Sequence, residues 1–158
     1  QSTDDSALTG YDGLAEELSQ ISRLSAVFIP TSSGTTAVGL YNGFKKRGLN
    51  PQIHIIQTAS CHPFVKSSEE TPDETSLASA ITDRIGHRAA EVEKIITESG
   101  GAGWIASNNE ITEAVRFAKQ TENIDLSPNS ALSVAGLKKA VSNGYKFSGP
   151  VVCLITGD

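Results

Sequence analysis

The sequence predicts an α/β fold, an open, mostly parallel sheet with helices on both faces in three layers. Short apolar runs at residues 26–29, 53–56, 104–106 and 151–155 alternate with segments whose apolar residues recur at helical spacing. The first two runs flank a helical segment within about 30 residues, the spacing of a βαβ unit and hence of parallel strands. Polar turns follow the first and last runs, at residues 31–36 and 156–157, where ligands of such sheets sit.

Each element has its own local reason. Residues 1–10 open with Gln1-Ser-Thr-Asp-Asp-Ser6 and read as a flexible arm; residues 11–158 read as one domain. Leu14, Leu18 and Ile21 recur at i, i+4 and i+7, which predicts a helix over 12–22. Residues 26–29 form a buried strand bounded by Pro30. A helix carrying Val38, Leu40, Tyr41 and Phe44 follows, with Lys45, Lys46 and Arg47 suiting its last turn and Gly48 its C-cap. Residues 53–56 are the second strand, and 58–73 read as irregular. Residues 75–81 predict a short helix. Residues 88–98 predict a longer one, with Val92, Ile95 and Ile96 on one side and Gly100-Gly101 as its stop.

Residues 104–106 are the third strand, with Trp104 read as core. Ser107 and Glu110 then have the spacing of a capping box, ahead of Ile111, Ala114, Val115 and Ala118. Ser127-Pro128 starts the next helix, 128–142, which is apolar enough to be well buried and ends at Gly144. Residues 151–155 read as the clearest buried strand.

The 158 residues, 38% apolar and 20% charged, suit a single globular domain and exclude wholesale disorder. No apolar stretch approaches the ~20 residues of a membrane helix. A net charge of -5 argues against nucleic acid as the main partner. Cys61 and Cys153 form no CxxC pair and no metal-ligand spacing is present, so inert thiols in a reducing, cytoplasmic setting are expected. The start lacks a secretory apolar region, and the absence of methionine suggests an excised or processed piece.

Pro30-Thr-Ser-Ser-Gly-Thr-Thr36 is the most informative stretch. Placed between a strand and a helix, its small residues let the backbone curl, and Gly34 permits a turn that a Cβ would block. Helix amides and the hydroxyls of Ser32, Ser33, Thr35 and Thr36 would then cradle a phosphate. The stretch lacks the Gly-Lys-Ser/Thr of a P-loop, and it is neither GxGxxG nor GxSxG. A well-capped helix behind a Ser/Thr-rich turn is the alternative reading.

In their order and spacing these motifs resemble the pyridoxal-phosphate enzymes of fold type II, especially the threonine synthases. The resemblance covers nearly the whole chain. Tyr11-Asp-Gly-Leu-Ala-Glu-Glu-Leu18 looks like the helix before that family's phosphate loop, and Phe28 to Thr36 with Gly39 and Phe44 looks like the loop itself. Residues 75–81 resemble the segment at the active-site entrance. Ser127-Pro-Asn-Ser-Ala131 resembles the family's Glu-Pro-Ser-Ser-Ala turn, and Leu154-Ile-Thr-Gly157 resembles the strand end that meets the pyridine nitrogen.

The resemblance implies part of a fold type II large domain with pyridoxal 5'-phosphate as cofactor. Ser32, Ser33, Gly34, Thr35 and Thr36 would hold its phosphate, and Thr156 its ring nitrogen. A neutral hydroxyl at the nitrogen leaves it unprotonated and suits elimination and replacement chemistry. The implied reaction converts O-phosphohomoserine to threonine and phosphate, with a small amino-acid substrate and a homodimeric parent enzyme. A threonine or serine dehydratase, or a non-enzymatic phosphate- or nucleotide-binding module, are the alternatives.

The departures are equally specific. The lysine that anchors the cofactor in that family lies upstream of the phosphate loop, and none of the eight lysines here matches it. The small domain has no counterpart either. The isolated chain is therefore expected to be catalytically inactive. His54 reads as a packed strand histidine. Cys61-His62 reads as a loop pair rather than a nucleophile or half a metal site, since adjacency in sequence is not the geometry catalysis needs, and Arg84, His87 and Arg88 read as a solvated turn rather than a substrate site.

Overall fold

The computed structural model describes residues 4–66 and 75–157. Four parallel strands, β1 (Ala26–Pro30), β2 (Gln52–Thr58), β3 (Gly103–Ala106) and β4 (Val151–Cys153), form one sheet in the order β3-β2-β1-β4. In register, Phe28 lies beside His54 on one side and Cys153 on the other, and Ile56 lies beside Trp104.

The period of two along the strands divides the core. Val27, Ile29, Ile53 and Ile55 face α2 (Asp12–Ser19), α3 (Thr35–Lys46) and α4 (Ala89–Ser99). Phe28 and Ile56 face α5 (Asn108–Glu122) and α6 (Pro128–Ser142), together with Ile111 and Leu132. Both faces of the sheet are covered, which is why β1 is buried along its whole length. Gly136 lets α6 lie directly on the sheet, because a Cβ there would run into Ile56 and approach Phe28 to 3.4 Å. Among the described residues no helix is long and apolar enough to cross a membrane.

The local signals hold at most boundaries. Ser107 accepts from the Glu110 N–H at 3.3 Å while Glu110 Oε2 accepts from the Ser107 N–H at 2.8 Å, closing the expected capping box at the head of α5. Helix α6 begins with Pro128 behind the Ser127 cap. Gly48 and Gly100 take left-handed φ values of 69° and 71° just past α3 and α4.

Three expectations need correction. Within the expected arm, α1 (Ser6–Thr9) is a short helix, and its Leu8 packs against the α3 side of the core. Asp5 also pairs with Arg88 at 3.0 Å, so this stretch is anchored; residues 1–3 lie outside the described residues. Residues 75–81 are not a helix. Their amides are taken by side chains from elsewhere: Leu77 N–H donates to Asn108 Oδ1 at 2.8 Å and Ala80 N–H to Asn129 Oδ1 at 3.2 Å. The clearest buried strand of the sequence is a half-buried edge strand of three residues, because among the described residues β4 pairs with β1 alone. Of the stretch expected to be irregular, residues 67–74 lie outside the described residues.

Candidate functional site

The turn from β1 into α3 leaves a run of backbone donors open. Thr31 N–H makes the last bond to β2, donating to Ile56 O at 2.8 Å, and Val38 N–H opens the helix by donating to Gly34 O at 3.0 Å. Between them, the amides of Ser32, Ser33, Gly34, Thr36 and Ala37 meet no acceptor among the described residues. Thr35 N–H reaches only the Ser33 hydroxyl, at 3.5 Å. No side chain caps α3, whose N-cap is Gly34 at φ 84°. A Cβ at that position would come within 2.7 Å of Val92 Cγ2, so both the backbone and the packing require glycine. Open amides and the positive end of a 12-residue helix coincide here.

A cavity of about 450 Å³ opens above this turn. Ser32, Ser33, Gly34, Thr35 and Thr36 line it, and so does Thr156 from the other end of the chain. All six residues singled out in the sequence therefore face one space. Its volume falls within the usual range for small-molecule sites, roughly 300–1,000 Å³. No charged side chain and no lysine lines it among the described residues, so an anion would be met by amides and hydroxyls.

The hydroxyls are ordered by specific partners. Ser32 Oγ accepts from the Asp83 N–H at 3.1 Å, which leaves its own proton free to donate. Ser33 Oγ and Thr35 Oγ1 lie 3.0 Å apart. Thr36 Oγ1 donates to the Tyr11 hydroxyl at 2.9 Å. Beneath the turn, the buried Gln57 amide donates to Thr31 O at 3.4 Å and accepts from the Phe64 N–H at 2.9 Å. Thr156 itself is exposed, but the next carbonyl, Gly157 O, accepts from both Ser127 Oγ at 2.7 Å and Ser130 Oγ at 3.1 Å. The cap of α6 thus steers the last strand toward the cavity.

Tyr11 and Ile81 also line the cavity and were not among the residues singled out. Tyr11 belongs to a helix motif in the sequence, and its contact with Thr36 spans 25 positions, which no local pattern reveals. The clamp formed by Ser127 and Ser130 spans about 30 positions to Gly157, so the reading of Ser127 as a helix cap does not reveal it.

The other candidates are accounted for by packing. His54 is fully buried, stacked on Phe28 with ring centroids 4.4 Å apart. Cys61 Sγ donates to Asp83 O at 3.2 Å while His62 Nδ1 lies 2.9 Å from Val65 O, so the two side chains turn to different partners. Burial raises the thiols of Cys61 and Cys153, the latter to about 11, which suits inert groups. Arg88 departs from the expected solvated turn: its side chain is 4% exposed and pairs with Asp5 and Glu91.

A family model described as "Pyridoxal-phosphate dependent enzyme" matches residues 1–157. The chain belongs to this family. Pyridoxal phosphate is the family's cofactor, and the open amides and hydroxyls of the 31–36 turn suit its phosphate. Among curated relatives, the threonine synthase of Methanosarcina acetivorans is 31% identical over 145 residues, covering 83% of this chain and 36% of that protein. The threonine synthase of Mycobacterium tuberculosis is 34% identical over 111 residues, covering 68% of this chain and 30% of that protein. The chain thus spans about a third of the length of these relatives.

Solved structures of the family share the fold. The processed form of threonine deaminase isoform 2 from Solanum lycopersicum matches with a TM-score of 0.75 at 17% identity, over 95% of this chain and 42% of that one. An L-serine ammonia-lyase from the fungus Rhizomucor miehei matches with a TM-score of 0.73 at 13% identity, over 95% and 51%. The fold is therefore part of the fold type II architecture.

Proposed function

We propose that this chain supplies the phosphate cup and the ring-nitrogen wall of a pyridoxal-phosphate enzyme of the threonine synthase type, converting O-phosphohomoserine to threonine and phosphate. The observation that carries the reading is the shared cavity of the 32–36 turn and Thr156. The two threonine synthases at 31% and 34% identity support the choice of reaction.

In this reading the amides and hydroxyls of Ser32 to Thr36 bind the cofactor phosphate at the head of α3. Thr156 presents a neutral hydroxyl to the ring nitrogen and holds it unprotonated. Bound there, the cofactor supplies an electron sink for elimination and replacement at an amino acid. Since no lysine lines the cavity among the described residues, the covalent anchor in this reading is contributed by another segment, and the chain alone is catalytically silent.

Titration with pyridoxal phosphate and with pyridoxal tests the cup. The chain is expected to prefer the phosphorylated form, and Thr36→Val to weaken that form roughly tenfold while leaving pyridoxal unchanged. Equal binding of the two forms by the unaltered chain overturns the reading. The reaction is tested with this chain joined to a lysine-bearing segment of its own reading frame. Phosphate released from O-phosphohomoserine supports the synthase; ammonia released from threonine or serine, without it, replaces it with a dehydratase.

A further inference from the structure

The segment from Thr75 to Gly86 crosses the carboxyl edge of the sheet without joining a helix or a strand. What holds it is a set of side chains. Leu77 N–H donates to Asn108 Oδ1 at 2.8 Å, Ala80 N–H to Asn129 Oδ1 at 3.2 Å and Asp83 N–H to Ser32 Oγ at 3.1 Å. The three amides are three residues apart. Their acceptors stand at three separate chain connections: the first turn of α5, the first turn of α6 and the turn before α3. Asn108 grips the segment twice, since its Nδ2 also donates to Thr75 O at 3.0 Å.

This arrangement points the segment at the cavity. Ala78 and Ile81 are turned inward, at 0% and 9% exposure, whereas Leu77 is 48% exposed. Ile81 is part of the cavity wall, and the Asp83 amide occupies a lone pair of the Ser32 hydroxyl, directing its proton elsewhere. Asn108 and Asn129 do not line the cavity, so whatever they do for a ligand they do through the segment.

We propose that Asn108 and Asn129 are positioning residues that latch residues 77–83 along the mouth of the cavity, and that the latch sets how fast a phosphate-bearing ligand enters and leaves. The role rests on reading the cavity as a cofactor site. With the latch closed, Ile81 narrows the opening and Ser32 is aimed at the ligand. With one asparagine bond broken, the segment loses one of its side-chain anchors, which also include the Cys61 thiol on Asp83 O, and its open population rises about fivefold for a bond of ordinary strength.

The experiment uses the 158-residue chain with pyridoxal phosphate as probe. Asn129→Ala and Asn108→Ala remove an acceptor each; Asn129→Asp keeps it. Amide hydrogen exchange at Leu77 and Ala80 reports the latch, and stopped-flow mixing reports ligand entry and exit. In Asn129→Ala the Ala80 amide should lose protection, and the association and dissociation rates should both rise about fivefold. Asn129→Asp should restore both. Asn108→Ala should act in the same way through Leu77, an independent check should either variant fold poorly. Rates that stay at their original values in a variant whose amide has lost protection overturn the gating role. Unchanged protection in both alanine variants overturns the latch. An unaltered chain that keeps its Ala80 amide protected yet binds no pyridoxal phosphate overturns the cofactor reading instead, and the gating role with it.

Discussion

The indole N–H of Trp104 donates to Nδ1 of His54 at 3.1 Å. That bond settles the tautomer: Nδ1 accepts, so the proton sits on Nε2, which lies 3.0 Å from Gln52 Oε1. The ring is wedged between Phe28 and the edges of Tyr145 and Phe147. Charging it would break the Trp104 bond inside an apolar face, and burial lowers its pKa from 6.5 to about 4.

Stability should follow that titration. The unfolded chain takes up a proton near pH 6.5 and the folded chain only near pH 4, so the unfolded state binds more protons between them. The contribution is complete above the higher value and is lost as pH falls through this window, to an extent on the order of 3 kcal/mol. Urea midpoints measured from about pH 7 down to about pH 4 should decline in the native protein. His54→Gln should flatten that decline; an equally steep one in the variant refutes the assignment.

Tyr11 receives the Thr36 proton, and its own proton has no acceptor among the described residues. In the proposed cup it donates to the ligand phosphate. Tyr11→Phe keeps the ring that packs on Gly39 and removes this donor, together with the acceptor of the part-buried Thr36 hydroxyl. Affinity for pyridoxal phosphate is expected to fall about tenfold, with the melting temperature unmoved and pyridoxal binding unchanged. Isothermal titration of both ligands reads the difference.

Ser107→Ala opens the capping box at the head of α5 and leaves the Glu110 N–H without its acceptor. The expected loss is about 1 kcal/mol of unfolding free energy. Denaturant unfolding followed by circular dichroism measures it, and an unchanged midpoint would show that water replaces the cap at no cost.

Gly136→Ala places a methyl where α6 meets Ile56. The helix must then lift from the sheet, at a cost of about 1–3 kcal/mol. Alanine's better helix propensity, about 1 kcal/mol, offsets part of this but does not reverse its sign in the tighter fit. A lower urea midpoint is expected, and a higher one would mean that α6 shifts freely.

The parts that were legible in the sequence are those whose signals are local. Apolar runs at 26–29 and 53–56 mark adjacent parallel strands because both faces of each are buried. Ser107 with Glu110, and Ser127 with Pro128, mark helix starts because the orphan amides of a first turn need partners within three residues. The turn that lines the cavity was legible for the same reason: Gly34 and its hydroxyl neighbours are contiguous. What stayed hidden depends on distant residues. The apolar spacing of 75–81 suits a helix, yet Asn108 and Asn129 offer its amides better-placed acceptors. The apolar run at 151–155 reads as central, but a strand's rank in a sheet depends on what pairs with it, and among the described residues β1 is its only neighbour. Tyr11 reaches the cavity because its ring, between α1 and α2, lies across Gly39 of α3.

Connecting segments ordinarily tolerate a residue more or less, because few contacts fix their length. The stretch from Leu77 to Asp83 is an exception: its donors are matched like the teeth of a comb to pegs on three fixed mounts. Removing one residue between Leu77 and Ala80 would put every later tooth out of step at once. A stretch without helix or strand thus has its length prescribed by its contacts, and descendants of this chain should vary there by exchange of side chains rather than by gain or loss of residues.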